Sequence, residues 1–238
     1  MTEPLQEQAS RFDRLAAEWD SNPARVTLAR QVARAMAARL PLGPQTALLD
    51  LGAGTGLLSL ALLPHVGRVT AVDSSAEMTR VLTDKIRSRG LASIQVMHAD
   101  IQSAPLPRES FDVIVSSMVL HHLPDVPAAL LALRACLKPA GWIALADLDA
   151  EDGSFHPDRS GVFHNGFDRA TLARWLLDAG YVEPEAGEAA TLDKPGADGR
   201  LRHYSIFMIT ARNPYPGKEF NDTLTARHHR LRRHGKSA

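Results

Sequence analysis

A single cysteine, Cys136, occurs among the 238 residues, so no disulfide can close within the chain, and it falls in an apolar helical segment. Disulfide frameworks belong to oxidising compartments, and a reduced, cytoplasmic setting is expected. Aromatic residues make up only 5%, too few to interleave a base-stacking platform with basic side chains. A membrane span needs about 18 or more consecutive apolar residues. The nearest approach, Leu120 to Leu137, is interrupted by His121, His122, Asp125 and Arg134. The first residues are polar and acidic rather than basic and then apolar, so no export signal is expected.

Charge of one sign is also missing overall, the formal net charge being zero. The exception is Arg227 to Lys236, which reads RHHRLRRHGK without an acid. Such a run can dock RNA, DNA or an anionic surface, or simply be a solvated terminus, which is the plainer reading. Apolar content of 45% and charged content of 23% are ordinary for a globular chain long enough to bury its own core. One α/β domain with short appendages is expected: a helical lid over residues 1–40, the main domain over 41–212 and a basic tail over 213–238.

Short β-branched runs alternate with helical periodicity, the pattern of parallel strands joined by crossover helices. Strands are expected at Ala47 to Leu51, Arg68 to Val72, Ile94 to His98, Phe111 to Ser116 and Trp142 to Asp147. Helices are expected at Leu57 to Pro64, Ser75 to Arg89 and Val126 to Leu137, with Ser74 or Ser75 capping the second and Gly90 closing it. Pro139-Ala140-Gly141 reads as a turn into the fifth strand. A further helix opens at Asp168 and stops at Gly180. Two late strands, Pro184 to Leu192 and His203 to Thr210, read as an antiparallel hairpin.

The most informative stretch is Ala47 to Leu60, ALLDLGAGTGLLSL, an apolar strand breaking into Gly52, Gly54 and Gly56 before a helix restarts. Glycines there let bare backbone approach a ligand at the carboxyl edge of a sheet. About 20 residues on, Asp73 ends the next strand, where a carboxylate can accept from two ribose hydroxyls. The third glycine of a dinucleotide fingerprint is replaced by Leu57, and no phosphate-binding lysine follows. A nucleoside without a pyrophosphate is the better ligand.

These motifs, with HADIQ, FDVIVSSMVLHHL and LKPAGWIALAD in the same order, resemble those of class I S-adenosylmethionine-dependent methyltransferases of the small-molecule type, over roughly Phe12 to Arg212. The resemblance implies a Rossmann-like α/β fold. Its seven-stranded mixed sheet is parallel except for a C-terminal antiparallel hairpin strand, with helices on both faces. It also implies S-adenosylmethionine as cofactor. Asp50 and the Gly52-Ala53-Gly54 backbone, with Gly56, would face the methionine portion, and Asp73 the ribose. Ser74 and Met78 would flank the adenine, Asp100 would bind its amino group and Ile101 would cover a ring face. Ser116 would line the sulfonium side. Arg11 to Asp20 looks like a lid helix with Phe12, Leu15, Ala16 and Trp19 on one face, Trp19 covering the pocket.

Methyl transfer from a sulfonium mainly requires alignment, but an oxygen, nitrogen or sulfur nucleophile must lose its proton, and a nearby histidine can take it. His121 and His122 follow the fourth strand at the rim. The loop from Glu151 to Gly166 is too long for a plain connector and carries Glu151, Asp152, His156 and His164. Substrate recognition or proton removal by His156, His164 and His121 is therefore expected. No metal is expected, since these residues do not repeat at a spacing that fixes ligand geometry. Asn213-Pro214-Tyr215-Pro216 resembles a base-holding motif but follows the last strand rather than the fourth, and no Pro-Cys nucleophile is present. The expected partner is a small-molecule methyl acceptor. Nucleic acid and protein are the less favoured acceptors, and a catalytically silent cofactor-binding subunit is the remaining alternative.

Overall fold

The computed structural model describes residues 10–100, 106–196 and 198–215. Seven strands form one sheet in the order β3-β2-β1-β4-β5-β7-β6. They are β1 (Ala47–Leu51), β2 (Arg68–Asp73), β3 (Ile94–His98), β4 (Phe111–Ser117), β5 (Leu137–Leu148), β6 (Val182–Pro195) and β7 (Leu201–Arg212). β1 to β5 pair in parallel, and β7 runs antiparallel to both β5 and β6. The expected mixed sheet and its hairpin are present. Strand order reverses between β1 and β4, and in open α/β sheets that crevice, beyond the carboxyl ends, is where ligands sit.

Five helices cover the sheet among the described residues: α1 (Pro23–Arg39), α2 (Leu57–Leu62), α3 (Ala76–Arg89), α4 (Val126–Cys136) and α5 (Arg169–Asp178). Every residue of β1 is buried, as expected of a central parallel strand covered on both faces. Alternation divides the core: Leu48, Val113 and Ala144 join Leu28, Val32 and Met36 of α1 and Leu62 of α2. Leu49, Ile114 and Ile143 face Leu130 and Leu133 of α4 and Leu172 and Leu176 of α5. The caps are those the sequence predicts. Ser75 accepts from the Met78 amide, Gly90 closes α3 in the left-handed region, and Asp168 accepts from Thr171.

Two expectations change. Pro139-Ala140-Gly141 does not end one element and begin another. The extended run starts at Leu137, paired with Phe111, and the ladder resumes at Trp142 opposite Val113. The extra residues are absorbed by an irregularity in which Ala140 takes φ 60°. The segment 1–40 also divides, at Asn22, whose side chain caps α1 by accepting from Ala24. Before it lie helical residues 10–15 and a 3-10 turn, Ala16–Ser21. After it, α1 is part of the core layer, because Leu28, Val32, Ala33 and Met36 are buried against the sheet.

Candidate active site

The glycine turn is shaped by the protein's own packing as much as by any ligand. Gly52, Gly54 and Gly56 all have positive φ, the region glycine enters without strain. A Cβ on Gly52 would fall 2.3 Å from Val119 Cγ2, and one on Gly56 would fall 2.2 Å from Leu82 Cδ1. Gly54 differs. Its nearest neighbour would be Met78 Sδ at 3.9 Å, so bare backbone meets open space there. Of the three glycines expected to approach a ligand, Gly54 leaves the room, while Gly52 and Gly56 seat the β4 loop and α3. Ala53 is buried, its amide bonded to the Val72 carbonyl.

Asp73 closes the cradle. Its carboxylate accepts from the Gly54 amide at 2.7 Å and the Ser75 amide at 2.8 Å. Each carboxylate oxygen has a second lone pair to offer. Burial pushes the Asp73 carboxyl up from its ordinary range, and the two amide bonds oppose that shift. The Ala99 amide donates to the Asp73 carbonyl at 2.9 Å, which brings half-buried Asp100 alongside. Ser74 is exposed and Met78 is buried. This arrangement of an open glycine backbone, a carboxylate with spare acceptor capacity and a second acid beside it suits a nucleoside with free ribose hydroxyls. Ile101 lies outside the described residues.

Asp50 and Ser116 stand beneath the turn rather than in it, each 1% exposed. Ser59 Oγ donates to Asp50 at 2.5 Å, and Ser116 Oγ donates to the Leu51 carbonyl at 2.9 Å. Burial, reinforced by Asp73, raises the Asp50 carboxyl to about 7. A carboxyl whose folded value exceeds its unfolded one contributes stability that is complete below about pH 4 and is lost as pH rises through the folded value. Asp50→Asn keeps the acceptor for Ser59 without the charge. Its stability relative to the parent should therefore rise between about pH 4 and 7 and level off above. Denaturant titrations across that range check this, and a pH-independent difference would contradict it.

The segment from Arg11 to Asp20 is latched around this cradle. Ser75 Oγ donates to Asp13 at 2.6 Å, and the Glu77 amide to the same oxygen at 3.1 Å, placing an acid at the α3 N-terminus where the helix dipole favours it. Thr55 Oγ1 donates to Asp20 at 2.5 Å, and Lys85 pairs with the same carboxylate. Trp19 is half-buried, with the Arg25 guanidinium 3.9 Å over its ring and Phe12 edge-on at 5.8 Å. Phe12 also meets the His122 ring at 5.2 Å.

Across the crevice, at the ends of β4 and β5, three imidazoles converge. His121 and His122 lie in the 3-10 turn after β4, and His156 comes from the long loop. Ring centroids are 4.1 Å apart for His121 and His122, 5.0 Å for His121 and His156, and 5.5 Å for His122 and His156. His121 Nδ1 meets the Asp147 carboxylate at 2.6 Å, both side chains being buried. His122 Nδ1 meets the Gly161 carbonyl at 2.7 Å. Burial and the neighbouring rings lower His122 to about 3 and His156 to about 2, so both are neutral imidazoles at physiological pH.

His164 and the two loop acids belong elsewhere. His164 Nε2 meets the Leu123 carbonyl at 2.9 Å, its ring beside Phe167. Glu151 accepts from the Phe155 amide at 3.0 Å, and Asp152 from the Ser154 amide and Arg202 of β7. The expected projecting pair of carboxylates is thus spent on shaping the loop, and Arg202 with Ser154 holds Asp152 down at about 2. Gly166 folds the loop back, since a Cβ there would lie 2.2 Å from the Asp149 carbonyl oxygen. The functional candidate missed by sequence reasoning is Asp147. A lone acid inside the apolar run Ile143 to Leu148 was the available signal, because a buried carboxylate needs a partner.

With this geometry in place, comparison with known proteins identifies the class. The methyltransferase domain family matches residues 49–145. Malonyl-[acyl-carrier protein] O-methyltransferase of Serratia marcescens is 34% identical over 216 residues, covering 89% of this chain and 80% of that one. An uncharacterized methyltransferase of Mycobacterium bovis is 40% identical over 108 residues, 45% of this chain. The match spans about half, 53%, of that relative's length. An S-adenosylmethionine-dependent methyltransferase structure from Aquifex aeolicus superposes with TM-score 0.61 at 21% identity, covering 89% of this chain and 99% of that one. This structural likeness speaks to the fold. The chain belongs to the class I S-adenosylmethionine-dependent methyltransferases.

Proposed function

We propose that the protein transfers the methyl group of S-adenosylmethionine to an oxygen, nitrogen or sulfur nucleophile of a small molecule. One observation carries the reading: a nucleoside cradle, Gly54 with Asp73, and a carboxylate-backed imidazole, His121 with Asp147, face each other across the strand-order reversal. When bound, the cofactor supplies an activated methyl group on a sulfonium. Asp73 holds the ribose, Asp100 and Met78 the adenine side, and the Gly52-Ala53-Gly54 backbone the methionine side. Asp50 and Ser116, being covered, act as positioning residues that hold Ser59 of α2 and the Leu51 carbonyl of β1. His121 donates its Nδ1 proton to Asp147, which leaves Nε2 to take a proton from the acceptor. His156 and His122 wall the acceptor side, and His164 fixes the loop through Leu123.

Tritiated S-adenosylmethionine, incubated with pools of phenols, amines, thiols and free or carrier-bound carboxylates, tests the reading. Label in an extractable small molecule is expected. Label confined to RNA or protein, with the Arg227 to Lys236 tail required, overturns the choice of acceptor. No helix among the described residues is long and apolar enough to cross a membrane. Loosening the lid should weaken cofactor retention. Asp20→Ala removes the partner of Thr55 and Lys85, two bonds of about 1 kcal/mol each, so cofactor dissociation should quicken by up to about 30-fold in stopped-flow tryptophan fluorescence. An unchanged rate would show that the latch does not hold the cofactor.

A further inference from the structure

The three imidazoles are arranged for more than proton removal. One ring nitrogen from each of His121, His122 and His156 lies within 4.8 Å of the others. Two of the rings have their Nδ1 committed, to the Asp147 carboxylate and to the Gly161 carbonyl, so each has Nε2 to offer. His156 Nε2 is buried without a hydrogen-bond partner, and a buried polar nitrogen left unsatisfied is costly unless something absent here satisfies it. A histidine whose second nitrogen is hydrogen-bonded to a carboxylate or a backbone carbonyl is the usual outer arrangement around a bound metal, because it fixes the tautomer and raises the basicity of the ligating nitrogen.

We propose that His121, His122 and His156 bind one divalent transition-metal ion, with zinc the best match to an all-imidazole set. Zinc–nitrogen bonds of about 2.0–2.1 Å place tetrahedral ligand atoms roughly 3.3 Å apart. Closing from 4.8 Å asks for a modest inward movement of the rings, of which His156, on its loop, is the freest. Asp147 supplies negative charge directly behind His121. Two cations act on His156, Lys194 and Arg11; Lys194 is engaged by the Phe155 carbonyl and Arg11 by Asp158 and the Ser160 carbonyl. Three protein ligands leave a fourth position open toward the crevice, the arrangement of a working rather than a structural site. It fits a lone-pair donor: water, a thiolate, a phenolate or a carboxylate. The proposal rests on the reading of this rim as the acceptor side; in the metal-loaded protein His121 Nε2 is a ligand, and a cation that lowers the acceptor's pKa, its proton leaving to solvent, takes the place of the base role His121 has in the metal-free protein.

The test uses the full chain with His228, His229 and His234 of the tail replaced by alanine, so that they do not compete for metal. After metal removal, Zn2+ alone is titrated by calorimetry and Co2+ is followed by visible absorption. One equivalent per chain is expected, with Kd below about 1 μM and the intense visible bands of four-coordinate Co2+. His156→Ala and His122→Ala, each confirmed as folded by its retained affinity for S-adenosylhomocysteine, should bind Zn2+ at least about 100-fold more weakly. Exposed His65→Ala should match the parent. Asp147→Asn should weaken Zn2+ by about 10- to 100-fold, the usual effect of losing an outer-shell carboxylate. Zn2+ binding weaker than about 1 mM, or equal binding by parent, His156→Ala and His122→Ala, overturns the metal site. S-adenosylhomocysteine binding in metal-free protein would in that case leave the methyl-transfer reading standing.

Discussion

Replacing Asp73 with alanine is expected to weaken S-adenosylhomocysteine binding by about 100-fold or more in equilibrium dialysis. The estimate follows from two charge-assisted hydrogen bonds to ribose hydroxyls, each worth about 1.5–3 kcal/mol. Part of the loss comes from the cradle itself, since the same carboxylate receives the Gly54 and Ser75 amides. Asp73→Asn keeps a neutral acceptor and should lose about 10-fold. Asp73→Ala leaves both amides without their acceptor and Asp73→Asn at most one, so the ligand-free melting temperature should fall further in Asp73→Ala. Dialysis well below that temperature, on protein shown to be folded, separates a ligand contact from a folding defect. A dissociation constant for Asp73→Ala within about 3-fold of the parent would remove the acid from the site.

Asp147→Asn carries the second large effect. Asp147 is fully buried and receives His121 Nδ1 at 2.6 Å, the His121 amide at 3.3 Å and the Leu148 amide at 2.7 Å. An asparagine cannot accept all three. If its amide nitrogen faces His121, Nδ1 must become the acceptor, and the ring proton moves to Nε2, the position that should receive the proton of the nucleophile. Turnover near neutral pH should fall by about 100- to 10,000-fold, the range for losing general-base assistance, with cofactor affinity unchanged. Nitrogen-15 spectra of the His121 ring should report the exchanged tautomer. Turnover within about 3-fold of the parent, or an unaltered tautomer, contradicts the role.

The parts of this molecule legible in its sequence are those whose causes are local. The caps at Ser75, Gly90 and Asp168 depend on neighbours within a turn. The Gly54–Asp73 cradle joins the ends of two adjacent parallel strands, a spacing the βαβ unit itself dictates. The histidine cluster is different. His156 reaches His121 and His122 only because Gly166 turns the loop back on Asp149, and nothing in the spacing of residues 121 to 156 encodes that return. Nor does the spacing tell that His164, in the same loop, meets the Leu123 carbonyl instead of joining the cluster. Glu151 and Asp152 looked chemically available. Their partners, one within the loop and one on β7, had to be seen. Likewise Gly52 and Gly56 read as ligand glycines, and their second constraint, Val119 and Leu82 filling the space a Cβ would take, lies outside what their spacing encodes.

The lid shows a mixture of both. The shared face of Phe12 and Trp19 is a helical-spacing argument, yet the segment tightens into a 3-10 turn at Ala16. What holds it is polar: Asp13 on the α3 N-terminus and Asp20 on Thr55 and Lys85. These latches flank the cradle. The long loop contributes the opposite wall through His156.

Isothermal titration calorimetry of the unmodified protein with S-adenosylhomocysteine tests the central claim, that the crevice beyond β1 and β2 is a sulfonium-nucleoside site. One ligand per chain, bound at micromolar strength or tighter and lost in Asp73→Ala, is the predicted result. Absence of binding at millimolar ligand by folded protein, or binding that Asp73→Ala leaves intact, would contradict it.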